Sequence, residues 1–249
     1  MLKPLALPLA ALALVAAPLA LTSDAYAKPA APAATALLAD ASRPEADRAR
    51  DADRKPAQLL AFAGVRPGMK IAELAPGGGY FTRLLSLAVG PKGYVYAFGG
   101  RTSPAVVTIA QARGNVAMVV GKAGDALAPE PVDVVWTTQN YHDFKNAKVG
   151  DGDGAVAYNK AAFAALKPGG VYLVSDHQTA KGAGASQTST LHRIEDAVVI
   201  AEVEAAGFRF DGRSGLLAHP GDDHALRVVE SGIRGKTDQF VLRFRKPRR

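Results

Sequence analysis

The chain contains no cysteine, which removes disulfides, thiolate metal sites, thiol nucleophiles and lipid-modified cysteines at once. Aromatic residues are scarce, at 7%, and are not interleaved with basic ones, which counts against a single-stranded nucleic-acid surface. No serine-centred nucleophile elbow and no Gly-x-x-x-x-Gly-Lys-[Ser/Thr] loop occurs, so neither serine hydrolase nor P-loop chemistry is indicated. No repeat period is present. The charge excess is positive, +7, but Arg243, Arg245, Lys246, Arg248 and Arg249 hold five of those charges within the last seven residues. That places the basicity in a tail, expected to be solvated, and predicts no nucleic-acid partner.

What is present suits one large α/β domain or two small ones: 249 residues, 48% hydrophobic and 21% charged. Met1-Leu2-Lys3 is a short positive start, Leu5 to Leu21 is apolar and uncharged, and Ala25-Tyr26-Ala27 is a small-x-small cleavage pattern. This reads as a secretory signal peptide over residues 1–27, with Lys28 first in the mature chain. Pro4, Pro8 and Pro18 disfavour a stable span, and no other apolar run could cross a bilayer. The expectation is a periplasmic protein with no stable membrane insertion after cleavage. Residues 28–54 then form an Ala/Pro leader and a helical segment. From Arg43 to Lys55 nine of thirteen residues are charged with mixed sign, as on a solvated helix face, with Asp51 and Lys55 spaced for a weak i,i+4 pair.

From residue 55 to 249 short apolar strands alternate with helix-like segments. Strands are predicted at Met69–Ala75, Tyr94–Phe98, Val116–Val120, Val132–Thr138, Val171–Ser175 and Gln239–Phe244. Helices are predicted at Tyr80–Val89, Pro104–Arg113 with Ser103 as N-cap, Val156–Leu166 and Ile194–Ala206. Lys167-Pro168-Gly169-Gly170 reads as a turn. Such alternation implies a mostly parallel, doubly wound sheet with helices on both faces, and ligands beyond the carboxyl ends of its strands.

Glu73-Leu74-Ala75-Pro76-Gly77-Gly78-Gly79-Tyr80 lies at the first strand-to-helix turn, where glycine permits positive φ and close approach of a ligand. Here the chain resembles the class I S-adenosylmethionine-dependent methyltransferases, over about residues 55 to 245. Glu73 to Gly79 is similar to the family's acid-x-Gly-x-Gly-x-Gly loop, with Ala75 in place of its first glycine. Asp125, in Gly124-Asp125-Ala126-Leu127, resembles the acid near the adenine, Val132 to Trp136 the fourth strand, and Leu166 to Gly170 the turn before the fifth. Exported bacterial members resemble it further in Asn140-Tyr141-His142-Asp143, Leu191-His192-Arg193 and Arg234-Gly235-Lys236-Thr237-Asp238. The resemblance implies a Rossmann-like sheet of seven strands with the last antiparallel, S-adenosylmethionine as cofactor, and Glu73, Gly77, Gly78, Gly79, Asp125 and Asn140 as its contacts. One position departs: Gly99 stands where the family's second strand ends in an acid that holds the ribose hydroxyls. Losing that charge-assisted pair costs about 2–3 kcal/mol of affinity.

His142 and Asp143 follow the fourth strand, Asp176 and His177 the fifth, and in the family's strand order these are neighbours. His142, Asp143 and His177 are therefore the predicted catalytic residues, an imidazole removing the acceptor's proton and a carboxylate orienting it. Residues 178–190, ending at His192 and Arg193, could fold over them as a lid. The same histidines and acids are zinc, manganese or iron ligand types; no His-Glu-x-x-His motif is present and no metal site is predicted. His219 to His224 reads as a turn, and Trp136 as core. Two functions stay open: an exported methyltransferase acting on a small-molecule substrate, or a periplasmic binding protein that keeps the fold without the chemistry.

Overall fold

The computed structural model describes residues 36–230 and 232–248. The expected signal peptide, its cleavage site and nearly all of the Ala/Pro leader lie outside them. After helical residues at 36–38 come three short helices, α1 (Glu45–Arg48), α2 (Asp51–Arg54) and α3 (Pro56–Ala63). Strand β1 (Lys70–Leu74) leads through the glycine loop into α4 (Tyr80–Val89), followed by β2 (Tyr94–Gly99), α5 (Pro104–Ala112), β3 (Val116–Val120) and β4 (Val132–Thr138). Then come α6 (Tyr141–Asn146), the hairpin β5 (Lys148–Val149) and β6 (Gly152–Asp153), α7 (Gly154–Ala165), β7 (Leu166–His177), α8 (Asp196–Ala205), β8 (Arg209–Ser214) and β9 (Gln239–Arg245).

The main sheet has the order β3-β2-β1-β4-β7-β9-β8. Pairings from β3 across to β7 are parallel, while β9 runs antiparallel to both β7 and β8. The seven strands and the antiparallel last one are those the resemblance implied. Strand order reverses between β1 and β4, which puts the ligand-bearing crevice at their carboxyl ends.

Alternation along each strand builds two cores. Ala72, Leu74, Val135, Tyr172, Val174, Leu242 and Phe244 face one side, where α6, α7 and α8 cover them. Ile71, Val95, Val134, Trp136, Leu173 and Val241 face the other, under α3, α4 and α5. Trp136 is fully buried against Phe81, as expected for core. Among the described residues no helix is long and apolar enough to cross a membrane.

Several expectations need correction. Lys167 to Gly170 is not a separating turn but part of β7: Leu166 already pairs with Val132, and the register shifts before Val134 meets Val171. Gly169, at φ +81°, absorbs the bulge. Arg243, Arg245 and Lys246 are not part of a free tail. Arg243 and Arg245 lie in β9 with their Nε atoms 2.8 and 2.7 Å from Asp211, and Lys246 donates to the carbonyls of Phe163 and Leu166. The charged run 43–55 is not one solvated helix: it is interrupted at Ala49 and Arg50, between α1 and α2, and Lys55 at φ +43° ends α2. Asp51 pairs with buried Arg43 and accepts from the Tyr80 hydroxyl, whereas Lys55 reaches the Leu216 carbonyl. This segment is thereby fastened to α4.

Candidate active site

The loop between β1 and α4 is shaped by left-handed backbone. Ala75, Gly77 and Gly79 have φ of +53°, +55° and +79°. Ala75 thus occupies a conformation that glycine adopts without steric cost, at about 1 kcal/mol of strain. A Cβ at Gly77 or Gly78 would meet nothing within 4 Å, so both face open space; at Gly79 it would overlap Ile109 Cδ1, so that glycine serves helix packing. Ser103 caps α5 by accepting from the Val106 amide and also donates to the Gly77 carbonyl, tying the loop to the neighbouring helix.

Glu73 sits below the loop, buried, accepting from Thr82 Oγ1 at 2.6 Å. Burial raises its pKa to about 7, against a lowering by that hydrogen bond. Asn140, directly after β4, donates to the carbonyls of Ala75 and Thr138 and so closes the β1–β4 crevice from the other side. Two connected recesses flank this loop. One is lined by Glu73, Gly77, Gly78, Tyr80, Phe81 and Asn140. The other is lined by Gly77, Gly99, Arg101, Ser103, Met118 and Asn140. No carboxylate lines the second, as the glycine at the end of β2 foretold. Asp125 does not reach either: it is exposed, accepts from the Lys122 amide, and borders a separate depression with Leu127 and Ala161.

Beyond Thr138 and Gln139 lies a chamber of about 430 Å³. His142, Asp143, His177, His192 and Ser175 line it together with Arg50, Arg54 and Arg234. Gln139, at φ +60°, lies at its mouth, and its side chain accepts from Arg54 and donates to Gln239. The chamber and the Glu73 recess share Arg50, Arg54, Phe81, Thr138 and Gln139 as walls. The sequence assigned Arg50 and Arg54 to a solvated face and said nothing of Gln139. Only its place at the end of β4 could have drawn attention to Gln139.

Behind the chamber's histidines lies Asp176, wholly buried at the end of β7. Its carboxylate accepts from His142 Nδ1 at 2.8 Å, from the His142 amide at 2.7 Å and from the His177 amide at 2.8 Å. These bonds and the nearby imidazoles hold its pKa below the usual range despite burial. Burial pulls the His142 pKa down, but the charge of Asp176 and the bond to it prevail and raise it. His177 is held by Thr237 Oγ1 at 2.8 Å, and burial pushes its pKa down to about 4. Burial, then Arg50 and Arg234, push the Arg54 guanidinium to about 10. His192 belongs to the expected lid: its Nδ1 lies 3.2 Å from His142 Nε2, and its Nε2 accepts from Arg227. Beside it, Arg193 is buried and structural, pairing with Asp222, and the His219–His224 cluster is a turn held by Asp222 within it and by Asp238 from outside it.

The three predicted catalytic residues therefore converge, and of the six predicted cofactor contacts Glu73, Gly77, Gly78 and Asn140 converge on the crevice. No protein-family model matches the chain, and no curated protein sequence aligns with it. Solved structures do. A S-adenosylmethionine-dependent methyltransferase from Aquifex aeolicus superimposes at TM-score 0.56 with 16% identity, over 79% of this chain and 98% of that one. A Burkholderia thailandensis 1,6-didemethyltoxoflavin-N1-methyltransferase, crystallised with its substrate and S-adenosylhomocysteine, gives 0.55 and 18% over 82% and 81%. The [4+2]-cyclase SpnF gives 0.55 and 17% over 79% and 81%. The chain has the Rossmann-like fold of the S-adenosylmethionine-dependent methyltransferases.

Proposed function

We propose that the protein is an exported, S-adenosylmethionine-dependent methyltransferase whose acceptor is a small molecule bearing a negatively charged group. The observation that carries this reading is the shared wall between the loop recess and the histidine chamber, at the strand-order reversal, which sets a donor compartment against an acceptor compartment. The donor side fits the cofactor in shape: Gly77 and Gly78 leave open space where side chains would intrude. S-adenosylmethionine supplies an electrophilic methyl group when bound there. Glu73, Gly77, Gly78 and Asn140 would hold its methionyl end, and Ser103 and the backbone around Gly99 its nucleoside end.

On the acceptor side Arg50, Arg54 and Arg234 converge, and among the described residues none of them forms an ion pair, so an anion entering the chamber meets guanidinium donors without displacing a carboxylate. Ser175 Oγ is buried there without a hydrogen-bond partner, which a polar ligand would supply. His142, Asp143 and His177 surround the place of the acceptor's reacting atom, and its proton leaves toward His142. The signal-like segment 1–27 supports a periplasmic location for this chemistry. Gly99 favours a second reading, a binding protein without transfer activity, because ribose recognition there lacks its acid; the cyclase among the similar structures illustrates a non-transfer reaction on this fold.

Calorimetric titration with S-adenosylhomocysteine decides between them. A saturable heat and a raised melting temperature are expected. Neither signal at millimolar ligand would overturn the methyltransferase reading.

A further inference from the structure

His142 Nε2, Asp143 Oδ1 and His192 Nδ1 form a nearly equilateral triangle. The separations are 3.5 Å from His142 to Asp143, 3.4 Å from Asp143 to His192 and 3.2 Å between the two imidazoles. A four-coordinate ion with bonds of about 2.0–2.1 Å separates its ligand atoms by about 3.4 Å. We infer that these three side chains form a binding site for a divalent transition-metal ion, with its open coordination position directed into the acceptor chamber.

The surroundings are those of a built site. Asp176, fully buried, accepts from His142 Nδ1 and thereby leaves Nε2 with its lone pair free, the carboxylate–imidazole support that metal-bound histidines commonly have. The same carboxylate takes the His142 amide, so both the ring and its backbone are fixed. His192 is held at φ +57°, a left-handed conformation that side-chain-bearing residues seldom adopt, and this aims a residue of the 178–195 segment at His142. His177 lies outside the triangle, its Nδ1 engaged by Thr237. Asp143 is more than half exposed, so the ligand set can be reached from solvent.

Two neutral imidazoles and one carboxylate suit zinc, manganese or iron in preference to magnesium or calcium. Without metal, the four groups make a chain of hydrogen bonds: Asp176 to His142, His142 to His192, and His192 to exposed Arg227. Ion binding requires the His192 proton to pass from Nδ1 to Nε2 and Arg227 to release that nitrogen. Arg227 is thus a competitor of the metal and not a part of its site. An acceptor oxygen or nitrogen taking the open position would lose its proton more readily, and His142 would then act as a ligand and not as the base. That consequence for the acceptor rests on the methyltransferase reading; the ion site itself does not.

The test uses Zn(II) and the full chain, freed of metal with a chelator and then titrated calorimetrically without S-adenosylmethionine or its products. One equivalent per chain is expected, with micromolar or tighter affinity that millimolar Mg(II) does not abolish. His192→Ala, at a partly exposed position where folding is not at risk, should weaken binding at least 100-fold. Asp143→Asn should weaken it by tenfold or more, and Asp176→Asn by 10- to 100-fold. Arg227→Ala should bind at least as tightly as the parent protein. The doubly substituted His219→Ala, His224→Ala protein, which removes imidazoles outside the triangle, should bind normally. Unchanged affinity in His192→Ala, weakened affinity in Arg227→Ala, or no stoichiometric binding at all would overturn the site. A protein that binds Zn(II) but not S-adenosylhomocysteine would keep the ion site and lose the methyltransferase reading; the reverse result would do the opposite.

Discussion

The two halves of the crevice are built on opposite plans. The loop side is made of backbone and of small residues: three consecutive glycines, an alanine in a left-handed conformation, and a strand that ends in glycine. The histidine side is made of side chains from several separate segments, two of which, after β4 and at the end of β7, are locked together through one buried carboxylate. A backbone cradle confers shape and little charge, and can lose a specific contact, as at Gly99, while keeping its outline. A side-chain network is the reverse, since removing one member strands the others. The loop side should therefore respond to substitutions through ligand affinity, and the histidine side through the integrity of the network.

The sharpest way to break this contrast is Gly77→Val. Its Cβ has no protein atom to strike, so the folded domain should persist with only the strain of φ +55°, while S-adenosylhomocysteine affinity should fall more than 100-fold in calorimetry. Wild-type affinity in that variant would make the loop a turn and nothing more.

Glu73 is the charged exception on the loop side. Its folded pKa, about 7, lies above the 4.5 of an ordinary glutamate, so the unfolded chain loses this proton first as pH rises. Stability should therefore decline from about pH 4.5 to about pH 7 and stay lower above it. Urea unfolding of Glu73→Gln should show a gain on the order of 2 kcal/mol at pH 8 that vanishes near pH 4. A simultaneous loss of S-adenosylhomocysteine affinity would identify the carboxylate as retained for binding at the expense of stability.

Restoring an acid at the end of β2 sharpens the contrast further. In Gly99→Asp the new Cβ would lie 3.3 Å from both the Arg101 carbonyl and Met118 Cε, and that crowding uses part of the about 2–3 kcal/mol the ribose contact offers. About tenfold tighter S-adenosylhomocysteine binding is expected. The smallest effect is at Ala75→Gly, where removing a Cβ from φ +53° should raise stability by about 0.5–1 kcal/mol in thermal unfolding, with ligand affinity unchanged.

The same division decides what could be read from the sequence. The glycine loop and helix Tyr80–Val89 were legible because positive-φ positions and amphipathic spacing are written locally, and β3 and β4 because β-branched runs mark buried strands. β8, Arg209-Phe210-Asp211-Gly212-Arg213-Ser214, was not: an edge strand need bury little, and this one has no alternating apolar pattern. Helix Tyr141–Asn146 is too short for a period to emerge. The convergence of His142, Asp143 and His177 followed from strand adjacency alone. The place of His192 depended on a left-handed residue within a polar segment, and that of Arg54 on a helix broken at Lys55, neither of which leaves a periodic trace.

β9 lies between β7 and β8, so an interior strand is made after both of its neighbours. Neither β8 nor the outer flank of β7 has its neighbour until residues 239–245 arrive. Until then the nascent chain can assemble β1 to β7 but must leave one sheet edge bare, with the outer flank of Val171 to Val174 and the β8 segment without their partner. Closing the sheet joins segments far apart in the chain, which slows folding. Deletion of residues 239–249 should therefore leave that edge permanently open.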